Sequence, residues 1–532
     1  MTSNFATAMA SNAKTWNGAK SLSTPDISGE SSGRIALFFK AVRGLNVPRL
    51  YEYLREAANE NIVDTFLLVF HIRDCRGGKG ERNLGRRSLI WLFLNYPGQF
   101  ILVAPLIAEY GRWDDLMELW PTVLDISNSS YISENYATPN YNNNKLIELQ
   151  EIQNSIVDIM VEQLKLDLNQ MNEGKSVSLC AKWAPTENDS YDRKYKVVNT
   201  LCKRLGVSLK NYRKKYITPL RQYIKIVERF MCEKRWTDIE YSKVPSCAMK
   251  RLKKAFEKHA PEQFNEWKQK LQKGEVEVKA KQLYPHELIQ EIRTKNMRDI
   301  VCENQWKVIE NDTKTMGSLK DSIFVCDVSG SMTSWDNSTK NTPSFIPMDV
   351  AIGLSLIGAN TVEGVFHNHI ITFSESPTFH VVKDTNLYDR YNSLRNTSWG
   401  YSTNIQATFD MILEKAEEHK LPQKDMPMKI IIVSDMQFDT ASYNKKTNFQ
   451  YIEQRYREYG YKRPQIIFWN VCGSSKDFPV SVNDNGTALI SGFSPSIMKA
   501  IMNGKDFSPY TIMRETLDSE RLAPVYSAVT NK

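Results

Sequence analysis

Eight cysteines and seven histidines are scattered through 532 residues, and neither type falls into a ligand pattern. Cys75, Cys180, Cys202, Cys232, Cys247, Cys302, Cys326 and Cys472 form no C-x-x-C pair. This argues against zinc sites and a disulfide framework and fits a reducing compartment, with most thiols serving as small buried hydrophobes. No H-E-x-x-H or similar histidine spacing occurs. No apolar run approaches the roughly 18 residues that span a bilayer, so no membrane segment is expected. Residues 1–33 have no apolar stretch behind a basic start, so no secretory leader is expected; their Ser, Asn, Thr and Ala content predicts disorder. The Walker spacing is missing, and so are a supported Ser-His-Asp order and paired acids beside a base. An enzyme is therefore not expected; a metal-dependent hydrolase stays as the minor alternative.

What is present is an ordinary globular composition, 41% hydrophobic and 24% charged, long enough for two to four domains. The net charge of +8 is unevenly placed. Residues 193–258 hold 20 Lys and Arg against five Asp and Glu, a net of +15, so the remainder carries about −7.

Apolar spacing predicts short helices from residue 34 to about 124, and further helices up to 316, an all-α region of helical-repeat (HEAT-like) character without a strict repeat. Residues 126–144, rich in Asn, Ser and Tyr, read as a surface insertion. Inside the first helices lies I-R-D-C-R-G-G-K-G-E-R, with Arg73, Arg76, Lys79 and Arg82 around three glycines. It reads either as an anion site at a helix start or as a solvated loop between helices. In the basic segment, Lys203, Arg204, Lys210, Arg213, Lys214, Lys215 and Arg221 alternate with Tyr212, Tyr216, Tyr223 and Trp236. Basic residues neutralise phosphates and aromatic planes stack on bases, so this segment points to RNA, with an acidic protein face as the other reading. His286, in L-Y-P-H-E-L, reads as a packing or capping residue.

After Gly317 the period changes to strands separated by helices, which predicts a parallel doubly wound α/β sheet over residues 317–532. The apolar run Ile323 to Cys326 ends in Asp327, followed by Ser329 and Ser331. A second run, Ile430 to Val433, ends in Ser434 and Asp435. Between them, W-G-Y-S-T-N precedes an amphipathic helix and offers Thr403. Loops at the carboxyl ends of such strands are where these sheets bind ligands, and oxygen donors suit hard divalent cations.

This order of segments resembles the von Willebrand factor A domain with its metal-ion-dependent adhesion site (MIDAS). The resemblance implies a Mg²⁺ or Mn²⁺ held by Asp327, Ser329, Ser331, Thr403 and Asp435, with an acidic residue of a protein partner at the open position. A helical domain with a basic face ahead of such a domain looks like the Ro (TROVE) architecture, which implies binding of small structured RNA. The phrases R-D-C-R-G-G-K-G-E-R, Y-G-R-W-D-D-L, A-K-W-A-P, V-P-S-C-A-M, L-Y-P-H-E-L and V-S-D-M-Q-F-D resemble a family of plants, amoebae and large DNA viruses. The expectation is a cytoplasmic scaffold that binds RNA and a protein partner, or one packaged in a virion if viral. The alternative is a protein-interaction module without nucleic acid.

Overall fold

Helices start where the sequence supplies caps. Ser32 accepts from the Ile35 amide at the head of α1 (Gly33–Lys40), Asn46 caps α2 (Val47–Glu60) and Asn61 caps α3 (Ile62–Arg73). The apolar stripe of α2 buries Leu50, Tyr51, Leu54 and Ala57. The α3 sequence, apolar on every side, is buried all round, as expected of a central helix. The computed structural model describes residues 26–27, 30–127, 143–333, 346–373, 377–383, 385–395, 404–438, 448–473, 486–503 and 508–530. Within the stretch expected to be disordered, Asp26–Ile27 pairs antiparallel with Glu30–Ser31, and α1 already begins at Gly33. The predicted insertion at 126–144 lies mostly outside the described residues.

The helical part continues through α4 (Arg82–Asn95), α5 (Trp113–Ser127), the 30-residue α6 (Asn143–Asn172), α7 (Ser246–His259), α8 (Pro261–Gln272), α9 (Pro285–Lys295) and α10 (Ile300–Thr315). The chain then changes character at Gly317. Six strands form one sheet: β1 (Ser322–Asp327), β2 (His369–Phe373), β3 (Thr378–Val381), β4 (Lys429–Ser434), β5 (Gln465–Asn470) and β6 (Thr487–Ser491). Their order is 3-2-1-4-5-6, all parallel except β3, which runs antiparallel to β2. β1 and β4 are buried along almost their whole length, which is why both read as uninterrupted apolar runs. Strand β3 gave no sequence signal, because it is a short edge strand whose residues are mostly exposed. Helices α11 (Pro347–Thr361) and α12 (Ile405–Glu418) follow within the sheet region, and α13 (Pro509–Leu517) and α14 (Ala523–Thr530) end the chain. Among the described residues no helix is long and apolar enough to cross a membrane.

One hydrophobic core runs through the first helices and the sheet together. A second, small core is built from Tyr241, Met249, Phe256, Phe264 and Trp267 with their neighbours between Val227 and Val301. The ends of the chain are stitched together. Helices α1 and α13 lie on β6, and α14 packs on α3. The buried Lys79 ammonium donates to the carbonyls of Phe38 and Ala41 (3.1 Å to the latter) and to Ser491 Oγ at 2.8 Å. Arg521 donates to Asp74 at 2.9 Å and to Glu109 at 2.8 Å, and Arg514 to Asp64 at 2.7 Å.

Lys79 therefore joins the end of α1 to the end of β6. Replacing it with Met keeps the volume but strands buried acceptors, each costing about 1–3 kcal/mol. Lys79→Met is expected to lower the urea midpoint by an amount worth about 2 kcal/mol or more with an unchanged m-value. An unchanged midpoint would mean that the ammonium's desolvation cost cancels its hydrogen bonds.

Candidate functional site

Two stretches of buried β-structure deliver the acidic cluster. In the sheet of order 3-2-1-4-5-6 the strand order reverses between β1 and β4, and ligands of such sheets bind at the carboxyl ends of the strands there. Asp327 is the last residue of β1 and Asp435 follows the last residue of β4. Both carboxylates are buried. Asp327 Oδ1 accepts from the Ser329 amide at 2.9 Å, the tight turn that small residues allow, and Oδ2 accepts from Ser434 Oγ at 2.6 Å. Ser329 Oγ and Ser331 Oγ lie 3.0 Å apart, and the Ser331 hydroxyl donates to the Asp435 carboxylate. Asp435 Oδ1 also accepts from the Gln437 amide at 3.1 Å. Met436, between them, has φ of 65°, a left-handed conformation rare for such a side chain and held here by its neighbours.

The structure thus brings together four of the five residues expected to hold a cation: Asp327, Ser329, Ser331 and Asp435. Thr403 lies outside the described residues; the next residue, Asn404, caps α12 through the Ala407 amide. Ser434 was not foreseen as part of the site. Its place in V-S-D, beside the acid at the end of a buried strand, was the available signal. The electrostatics favour a cation. Burial, and then the nearby Asp327 carboxylate, push the Asp435 carboxyl up to about 7. Two buried carboxylates and two hydroxyls at a sheet edge are a donor set that a hard divalent ion fits.

The basic residues divide into three groups. Arg73 and Lys79 are buried, which corrects the expectation that they face RNA. Arg73 donates to Asp115 at 2.7 Å from Nε, and burial pulls the Lys79 ammonium down to about 7. The glycine loop is packed at Gly78 and Lys79 but exposed at Arg76 and Gly77, so it is a partly solvated link between helices. Gly80 sits at φ +67° with the Tyr284 hydroxyl where a Cβ would go, and a Cβ on Gly78 would strike the His71 carbonyl. Arg221 is likewise spent: its fork donates to the carbonyls of Ala181 and Ala184 and to Thr186 Oγ1 at 2.8 to 3.0 Å. A second group is exposed but shared. Arg76 donates to the Glu109 carbonyl, Arg82 pairs with Asp114 at 2.8 Å and Arg204 with Asp158 at 3.5 Å. The third group is exposed and has no carboxylate partner among the described residues: Lys203, Lys210, Arg213, Lys214 and Lys215. Arg213, Lys214 and Lys215 sit on one turn of π-helix, Tyr212–Ile217, anchored by the buried Tyr212 hydroxyl on the Pro185 carbonyl at 2.9 Å. His286 is buried against Phe493, a packing residue as expected.

The pH dependence of the acidic cluster follows from its burial. Between about pH 4 and 7 the folded chain keeps a proton on Asp435 that the unfolded chain releases, so the stability of the metal-free protein falls as pH rises through that window. Asp435→Asn removes this term. In thermal melts with chelator, the variant is expected to exceed the wild type at pH 7.5 and to lose that margin towards pH 4. Equal wild-type melting at pH 5 and 7.5 would show that Asp435 is not proton-bound there.

Comparison with known sequences divides the chain at the same place. Residues 133–209 and 206–319 match the family described as Domain of unknown function (DUF2828), and residues 321–525 match Domain of unknown function (DUF7788). The chain is 28% identical to "Uncharacterized protein L728" of Acanthamoeba polyphaga mimivirus, over 97% of this chain and 89% of that protein. Among solved structures it is similar to the RO (RSR) protein of Deinococcus radiodurans, with a TM-score of 0.34 and 13% identity over 91% of this chain and 86% of that one.

Proposed function

We propose that the chain is a non-enzymatic binding scaffold, a helical-repeat, TROVE-like part carrying a von Willebrand factor A-like sheet domain. The observation that carries this reading is the pair of buried carboxylates, Asp327 and Asp435, set with Ser329 and Ser331 where the strand order reverses. Two like charges buried together are unfavourable without a cation. Mg²⁺ or Mn²⁺ held there would supply an electrostatic anchor for an acidic side chain of a protein partner. Ser329, Ser331 and Thr403 are the direct ligands in this reading, and Asp327 and Asp435 act mainly through water. Ser434 fixes the Asp327 carboxylate from behind.

The second attachment is RNA on the helical part. It is supported by Lys203, Lys210, Arg213, Lys214 and Lys215, whose charges no carboxylate among the described residues neutralises. Eight free thiols suit a reducing, cytoplasmic setting, and the similarity to a mimivirus protein supports packaging in a virion as the alternative.

Two measurements test the two halves separately. Titration calorimetry is expected to show Mn²⁺ and Mg²⁺ binding by the wild type, weakened at least tenfold by Asp327→Ala; equal affinity in the variant removes the metal assignment. Fluorescence anisotropy with a small structured RNA is expected to show binding that weakens with salt. Changing Arg213, Lys214 and Lys215 together to Gln should reduce the slope of log affinity against log salt by about 2, at roughly 0.7 to 0.9 per lost phosphate contact. No RNA binding at low salt would leave a protein-interaction module.

A further inference from the structure

Beside the π-helical turn, a cavity of about 1530 Å³ opens between the main core and the small Val227–Val301 core. Thirteen Lys and Arg line it against three acids, Glu228, Asp238 and Glu240. Those acids pair with lining cations: Arg251 with Glu228 at 2.9 Å, Arg235 with Asp238 at 2.6 Å and Lys243 with Glu240 at 2.5 Å. Arg112, Arg213 and Lys279 have no carboxylate partner among the described residues, and Lys279 is exposed. The charge of the cavity is therefore left uncompensated, and it suits an anion.

The walls narrow the class of anion. Trp113, Trp183, Tyr223, Phe230 and Tyr284 lie among the cations. Arg235 already sits 5.3 Å from the Phe230 ring and Lys182 5.8 Å from the Trp183 ring. A compact polyphosphate or an acidic peptide uses only the cations. A ligand with both phosphates and flat bases uses both kinds of wall. The volume exceeds the roughly 300–1,000 Å³ of a small-molecule pocket, so several nucleotide units fit.

We infer that this cavity is a nucleotide-binding site, taking phosphate on Arg112, Arg213 and Lys279 and a base against the aromatic walls. The ligand is either a free nucleotide or a single-stranded segment; the strand form rests on the RNA reading above, and the free form does not. Because both cores contribute walls, a bound ligand ties the small helical unit to the main body.

The test uses the full chain, ATP and a fluorescein-labelled eight-nucleotide oligouridylate. Cys75 and Cys247, both half-buried in the cavity wall, report occupancy through their rate of alkylation by N-ethylmaleimide, read by mass spectrometry. The expected result is at least threefold slower alkylation with oligouridylate or ATP. That protection is lost in Arg112→Gln/Lys279→Gln and kept in Lys214→Gln/Lys215→Gln, whose residues lie outside the cavity lining. Protection by ATP without oligouridylate binding supports the site in its free-nucleotide form and counts against the RNA reading. Oligouridylate binding that is weakened only by the Lys214/Lys215 pair, with both thiols unprotected, keeps the RNA reading and overturns this inference. Unprotected thiols with both probes overturn it as well.

Discussion

The buried Lys79 ammonium is the contact on which the arrangement of the molecule depends. It faces the carbonyls that close α1 and the hydroxyl of Ser491 at the end of β6, more than 400 residues away in the chain. The loop that carries it is braced on every side. Arg73 reaches Asp115, Asp74 receives Arg521, and Glu81 receives Arg43 at 3.2 Å. Buried ions of this kind cost desolvation and persist only when fully hydrogen-bonded, so their effect is to admit one arrangement of the surrounding elements. Here that arrangement closes the chain on itself: the C-terminal helices complete the packing of the N-terminal ones, and the sheet shares its core with both.

The acidic cluster is braced by a separate set of contacts. The helix after the Asp327 loop, α11, is clamped to α9 by Arg293, which donates to Asp349 from two nitrogens at 2.8 and 2.9 Å. Gly353 on α11 lies where a Cβ would press on Pro285 and His286 at about 3.0 to 3.1 Å, so the two helices meet almost backbone to backbone. Arg390 pairs with Glu310 at 2.7 Å on a neighbouring contact, with both side chains nearly buried. The proposed cation site is therefore held by helical and sheet elements alike. The basic cavity, bounded by Lys279, Gln282 and Tyr284 just ahead of α9, sits at the other end of the same helix.

Much of the sheet was legible in the sequence because strands buried on both faces must be continuously apolar and must stop at polar residues. β1 and β4 were each visible within a residue for that reason. The edge strand β3 was not, because a mostly exposed four-residue strand places no demand on composition. Asp327, Ser329, Ser331 and Asp435 were legible as a group because each acid ends a continuously apolar run and the serines follow the first at short spacing. Ser434 donates to Asp327 and accepts from the Met436 amide, and its only mark along the chain is its place in V-S-D at the end of a buried strand.

Charge is where sequence and structure part. The sequence by itself determined that residues 193–258 are strongly basic, that helices precede a mixed α/β sheet, and that two acids end two buried strands. It did not determine which cations face solvent. Arg73, Lys79 and Arg221 look the same in sequence as Arg213, Lys214 and Lys215, yet the first three are consumed by partners from 35 to more than 400 residues away. Only the tertiary structure decides this, because a charge is neutralised by whatever lies within a few ångströms in space, and spacing along the chain records none of those long-range neighbours.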